Sequence, residues 1–453
     1  MRAGAAPAAA ALGLVAPLSP GALLLFRRLV RLATVHPEAA IDPGATVIEP
    51  TAVAACTPVW EGFVADGAAS EAEWSGLSYA DPRTTASGAA PGATFIGRMD
   101  NLAHTLVGAA LGRAVADRKV AGAALLGALA GNAPDWSELL VSPRALAPPS
   151  EPHSSYLLYH RGITHSLLGA AVEIAALGAL AGLALRWHAR RTGARPAPWR
   201  WIAALVGATV ASHLYLDWQG SYGLRPFLPW SGRWYYADWI AIVDPFFWIV
   251  PLVALAWGAR RQWLPALGFL LVLLGITALV VWARGPIVAP WVRFGVLAGG
   301  VMCVVGWMRH WFGVARRREA AAYAMLVLAA YVAANAAVSV WVKAPVRATA
   351  IRRFGPEARW AALTQVGHPF RWEPVYAGRD TVAGRDWAVP RHLTHPAVVR
   401  ALTTPAGRSI AQFARFLAAE VDSSGSGLRV YLRDARYHPA GPGGWAAVEV
   451  RLR

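Results

Sequence analysis

The stretch His160-Arg-Gly-Ile-Thr-His-Ser-Leu-Leu-Gly-Ala-Ala-Val-Glu-Ile-Ala-Ala-Leu-Gly-Ala-Leu-Ala-Gly-Leu-Ala-Leu-Arg186 decides how this chain folds. Residues 165–185 form an apolar run long enough, at about 1.5 Å per helical residue, to cross a hydrocarbon core of roughly 30 Å. A turn with two histidines precedes the run, and Arg186, Arg190 and Arg191 follow it. The same pattern recurs on either side. Apolar helical segments are expected at 101–116, 120–134, 200–217, 239–258, 263–283, 294–312 and 320–342. The first two are short and rich in Gly and Ala, which suits tilted or buried helices. Trp199, Trp201, Trp218, Trp239, Trp263 and Trp341 stand near segment ends, as in interfacial aromatic belts.

Composition agrees. Of 453 residues 56% are hydrophobic and only 15% charged, with 22 Trp, whereas soluble domains carry about 25% charged residues. The expected fold is mainly α: a polytopic helical membrane protein of about six to eight membrane helices, with a small C-terminal α+β extramembrane domain. Two cysteines, Cys56 and Cys303, exclude a disulfide scaffold and a thiolate metal cluster. A net charge of +17 raises the question of nucleic acid, but the placement of the charges answers it. With the eight segments as crossings, one set of connections holds fourteen basic residues, among them Arg113, Arg118, Arg190, Arg195 and Arg316 to Arg318, and the opposite set holds six. The positive-inside rule puts the first set in the cytoplasm. The 135–164 loop, the 218–238 loop and the C-terminal domain then lie outside, and no nucleic-acid partner is expected.

Three regions are distinguished. Residues 1–98 are Ala/Gly/Pro-rich and are expected to be a disordered or spurious extension, with Met99 the natural start. The apolar stretch Ala5 to Phe26 has its arginines after it, the reverse of a cleaved signal; a signal-anchor helix is the alternative. Residues 99–342 are the helical membrane region that holds the site. Residues 343–453 form a small extracytoplasmic α+β domain, with 17 Lys and Arg against 8 Asp and Glu. In it Arg429–Tyr437 and Trp445–Leu452 alternate as a hairpin, Pro405–Val421 reads as an amphipathic helix, and Phe370–Tyr376 and Thr381–Val389 are weaker strands.

Four segments concentrate the polar chemistry: Asn101-Leu-Ala-His104, Ala133-Pro-Asp135, His160 to Ser166, and Ser212-His213-Leu-Tyr-Leu-Asp217-Trp218. Imidazole and carboxylate together are the ligand set of zinc and related divalent ions. His213 and Asp217, four apart on a helix, share one face. In the eight-crossing topology His104, Asp135, His160, His165, His213 and Asp217 all fall at outer helix ends, so they can converge at one depth. An interfacial histidine is the commoner explanation for a lone one, and His188 and His310 are read that way; ionisable residues in apolar segments default to function. Asp238 and Asp244 are weaker site carboxylates, with helix start and cap as the alternative. Arg161 anchors an anionic substrate or pairs with a carboxylate. No role is assigned to His36, His153, His368, His392, His395 or His438.

These strings, with Ser221-Tyr-Gly through Trp230 and Asp238 through Pro245, resemble the bacterial membrane-bound metal-dependent hydrolase family (YdjM-like). The resemblance runs from Met99 to about Arg453 and is strongest over 99–245. It implies a divalent-metal hydrolase of the bacterial inner membrane, with a helical site akin to zinc phospholipase C. By motif match His104, Asp135, His160, His165, His213 and Asp217 are the implied ligands, and Asp238 is added as a further candidate. The cofactor is a divalent metal, zinc first, with Mn or Mg as alternatives. Relatives often carry a second carboxylate two residues after the first; here that position is Ser137, and Glu138 is the candidate to replace it. Glu138 and Arg161 are the candidate catalytic residues.

The leading function is therefore hydrolysis of a phosphoester or lipid-like substrate at the outer face, with membrane lipids as surroundings. A transporter or metal-handling protein with the same ligands is the alternative. Transport sites usually lie near the midplane on broken helices, whereas these ligands sit at helix ends. A structural protein with a degenerate site is the third reading.

Overall fold

A computed structural model describes residues 93–141, 157, 160–259, 263–283, 288–424, 427–441, 444 and 446–452. The expectations for residues 1–92, Cys56 and the signal-anchor reading included, lie outside the described residues. Eleven α-helices are present among those described: α1 (Ala93–Ala116), α2 (Ala123–Gly131), α3 (Ala133–Val141), α4 (Leu167–Thr192), α5 (Trp199–Gln219), α6 (Phe246–Trp257), α7 (Trp263–Val281), α8 (Pro290–Met308), α9 (Arg317–Phe354), α10 (Pro396–Leu402) and α11 (Pro405–Phe413). α1 runs without interruption through Met99.

Four of them, α4, α7, α8 and α9, are long and apolar enough to cross a membrane, fewer than the six to eight crossings expected. The reasons are local. The segment read as 120–134 is broken at Asn132 into two nine-residue helices. The segment read as 239–258 becomes helical only at Phe246, after Pro245, and its twelve residues reach about 18 Å. α1 and α5 are 24 and 21 residues long, but they carry His104, His213 and Asp217 and are largely covered by neighbours.

Close approach of α1 and α2 is written in glycine. A Cβ at Gly108 would stand 2.4 Å from the Gly127 carbonyl oxygen, and one at Gly127 would stand 2.2 Å from that of Gly108. Gly131 meets His104 in the same way, at 2.8 Å. The small-xxx-small spacing of Gly108/Gly112 and Gly127/Gly131 lets the two backbones touch, and that contact fixes His104 beside the end of α2. A second apolar core joins α1, α6, α8 and α9 around Trp248, Leu252, Val292 and Val296.

α9 spans 38 residues and continues past the expected boundary at 342 to Phe354. It leads into two antiparallel sheets. The first, in order β1 (Arg359–Gln365), β2 (His368–Ala377), β3 (Thr381–Ala383) and β4 (Ala388–Pro390), packs against α9 through Val346 and Ala350 beneath Trp372 and Tyr376. The second, β5 (Leu417–Asp422), β6 (Leu428–Asp434) and β7 (Ala447–Leu452), is covered by α10 and α11. β6 and β7 are the hairpin read from alternation, paired from Leu428 with Leu452 to Arg433 with Ala447. The helix read as 405–421 stops at Phe413 and the chain turns into β5.

Candidate metal centre

Each ligand candidate is placed by a short local device. His104 lies midway along α1, its carbonyl against Gly131 at the end of α2, and is 2% exposed. Asp135 occupies the first turn of α3. His165 closes a single 3-10 turn, Ile163–His165, that ends on Ser166; the Ser166 hydroxyl then caps α4 by accepting from the Gly169 N–H at 3.0 Å. His213 and Asp217 project from adjacent turns of α5.

The five side chains meet. His165 Nε2 lies 3.1 Å from His213 Nε2, 3.2 Å from Asp135 Oδ1 and 3.4 Å from Asp217 Oδ2. His213 Nε2 is 3.5 Å from Asp217 Oδ2 and 3.7 Å from Asp135 Oδ1, and His104 Nε2 is 3.5 Å from Asp217 Oδ1. The rings of His104 and His213 stack at 3.8 Å. Two overlapping triads result, His104–His213–Asp217 and Asp135–His165–His213, with His213 common to both. Donors bound to one zinc ion at about 2.0–2.2 Å in a tetrahedron stand about 3.3–3.6 Å apart, and the separations here bracket that range.

Hydrogen bonding supplies a test that distance alone does not. His213 Nδ1 is 2.7 Å from the Gly131 carbonyl oxygen. A carbonyl only accepts, so Nδ1 carries the hydrogen, and in the neutral ring Nε2 presents a lone pair to the centre. Asp217 Oδ2, buried and without a hydrogen bond among the described residues, faces that lone pair. Converging lone pairs in a buried site cost several kcal/mol unless a cation lies among them. The donor set therefore fits a divalent ion, and the Gly131 carbonyl is the kind of outer partner that orients a ligating imidazole.

Arg161 flanks the cluster. Its Nη2 is 2.7 Å from Asp217 Oδ1, and its Nη1 donates to the carbonyls of Asp217 and Gly223, both at 3.2 Å. The guanidinium lies 4.7 Å from the Tyr222 ring centre. These contacts hold a non-glycine residue at φ +52, in the left-handed region. Of the two readings of Arg161, the structure exhibits the pairing with a carboxylate.

His160 is brought alongside the cluster rather than into it. Its Nδ1 is 3.3 Å from Glu138 Oε2, and its ring centre is 6.3 Å from that of His165. Glu138 thus engages His160. Asp238 is not brought to the centre: both its oxygens accept from Arg415, at 2.9 and 3.2 Å. Burial pushes its carboxyl up, but Arg415, with Lys343 behind it, outweighs this and holds it below the usual carboxylate range. Asp244 accepts from the Phe246 N–H at 2.9 Å, the cap reading, and from the Tyr331 hydroxyl at 2.6 Å. A cavity of about 20 Å³, room for one water, separates Asp244 from Asp217 and Arg161.

Two contributions were not visible in sequence. Tyr222 joins the centre to the C-terminal sheets: its ring meets His160 at 5.3 Å and Phe413 at 5.1 Å, while Arg436 Nη1 donates to the neighbouring Ser221 carbonyl at 2.5 Å. Glu173, in the second turn of α4, accepts from the Ser137 hydroxyl. Its position within an apolar run gave no motif to read.

Residues 99–288 match the family of YdjM inner membrane proteins. No curated relative and no solved structure matches the chain.

Proposed function

We propose that this inner-membrane protein is a divalent-metal-dependent hydrolase whose centre is the cluster of His104, Asp135, His165, His213 and Asp217. The observation that carries this reading is the convergence of imidazole and carboxylate donors on one buried point, with the His213 Nε2 lone pair fixed toward it by the Gly131 carbonyl. A bound divalent ion supplies Lewis acidity and lowers the pKa of a water toward about 7.

The remaining chemistry belongs to the chain. Arg161 keeps one oxygen of Asp217 engaged, leaving the other for the centre. Asp135, at 17% side-chain exposure, and His160, at 19%, are the members open to an incoming group. They mark the side from which substrate arrives, and the Glu138–His160 pair stands there to accept or return a proton. Asp135, His165 and Asp217 stand near helix ends, as expected, whereas His104 lies midway along α1, because that helix starts at Ala93 and not at 101. The open side of the site at Asp135 and His160 suits an amphiphilic phosphoester. A transporter would need the ligands near midplane on broken helices; α1 and α5 are continuous through His104, His213 and Asp217, and only Asp135 follows a break, at Asn132.

Purified full-length protein assayed on bis-p-nitrophenyl phosphate and a short-chain phospholipid decides it. Turnover that rises with Zn²⁺ or Mn²⁺ and disappears with chelator is expected. Cation binding without turnover on either substrate would overturn the hydrolase reading in favour of metal handling.

A further inference from the structure

Glu173 is an anomaly. It sits six residues into α4, a helix long and apolar enough to cross a membrane and mostly exposed along its length. Yet Glu173 itself is 9% exposed and lies on the inward face with Ala170, the face that packs on α5. One oxygen accepts from Ser137, two residues beyond Asp135. The other, Oε2, is buried and has no hydrogen-bond partner among the described residues. A carboxylate held this way within a membrane helix is costly, and a hydrophobic residue there would be more stable. Its presence there calls for a partner that the described residues do not supply.

Charge identifies that partner. Asp135 and Asp217 bring two negative charges to the cluster, and Arg161, bonded to Asp217, returns one positive. Glu138 is engaged by His160. A divalent cation among these groups leaves an uncancelled positive charge in a low-dielectric setting, where charge is expensive. Glu173 lies close enough to His213 and Asp135 for both to act on it electrostatically.

We propose that Glu173 is the charge-balancing carboxylate of the cation centre, held by the Ser137 hydroxyl and acting as a positioning residue that raises affinity for a divalent ion. The inference rests on the cation-binding part of the reading above. It assigns an acid of α4, which no motif marks, to the site built on α1, α3 and α5. It also gives Ser137 a purpose, because that hydroxyl fixes one oxygen of Glu173 and leaves the other buried without a hydrogen bond among the described residues.

The test is zinc affinity of the full chain, measured against a competing chelator, beside thermal stability without metal. Glu173→Gln is expected to weaken zinc binding by about 10- to 100-fold, as for other outer partners of metal ligands. Glu173→Leu should weaken it likewise and raise the metal-free melting temperature, because an unsatisfied buried acid has gone. A purely structural Glu173 would move stability the other way. Returning a carboxylate from the opposite helix, in Ser137→Asp with Glu173→Gln, should recover affinity. Wild-type affinity in either folded variant overturns the inference. So does failure of both variants to fold, which would make Glu173 a structural acid. A wild-type protein that binds no zinc, manganese or magnesium would instead overturn the metal centre itself, a result distinct from either.

Discussion

Single side chains carry the sharpest consequences. His213 has one nitrogen committed to a backbone carbonyl and the other to the cluster, and it belongs to both triads. His213→Ala should therefore abolish bound metal, and His165→Ala should reduce it severely; removing His213 leaves two donors in each triad, and removing His165 leaves two in one of them. Metal content of purified variants by mass spectrometry checks this, with His310→Ala and His438→Ala expected to retain wild-type content. Full metal in both ligand variants, with the fold kept, would end the metal reading. Much of this was legible in the residues. The His213/Asp217 pair follows from helical periodicity, and His165 from its place before an apolar run. Asp238 misled because it stands in a motif-like string, while its actual partner, Arg415, is 177 positions away. Glu173 was hidden for the opposite reason: a long apolar helix draws attention to its length and away from its one acid.

At the scale of elements, the α1–α2 contact is the part with least tolerance. Gly127→Ala pushes a methyl into the Gly108 carbonyl and has no flexible side chain to displace. The two helices must separate, at a cost of roughly 1–3 kcal/mol, and the Gly131 carbonyl moves off His213. Loss of melting temperature and of metal together is expected. Gly178→Ala in α4 meets nothing within 4 Å and should be neutral or stabilising by up to about 1 kcal/mol. The hairpin β6–β7 was readable because alternation survives wherever one face is buried. The start of α6 was not, since apolar composition continues through 239–245 while the backbone there is extended and turned. The Asp238–Arg415 pair ties this segment to the sheets. The folded pKa of Asp238 is depressed, so the pair stabilises the protein above the ordinary aspartate value near 3.9 and that stability is lost as pH falls below it. Between pH 6 and pH 3 the wild type should lose more melting temperature than Asp238→Asn. Equal losses would show that the pair contributes nothing.

For the whole molecule, orientation is the open quantity with a direct measurement. From the excess of arginines on one set of connections we propose that the 190–198 turn faces the cytoplasm and the sheets lie outside. Cysteine placed at Arg195 should be protected from a membrane-impermeant thiol reagent in intact cells, and cysteine at Ser424 should react. The reverse labelling would turn the molecule over. The C-terminal sheets were foreseen as an appended α+β region, but not their grip on the centre through Tyr222, Phe413 and Arg436, which depends on contacts between residues some two hundred positions apart.

α9 has three attachments set along one helix. Tyr331 reaches Asp244, Lys343 donates to the Ala237 carbonyl at 2.5 Å, and Val346 with Ala350 seats β2. Because each helical residue adds about 100° of rotation and 1.5 Å of rise, these attachments are fixed relative to one another in angle as well as in distance. Inserting one residue between Tyr331 and Lys343 would turn everything beyond it by more than a quarter circle. Seven would nearly restore the angle and lift the sheets by about 10.5 Å. The interval is thus a fixed-length shaft: substitutions can pass through it, but insertions and deletions cannot without parting the sheets from the segment that carries Tyr222.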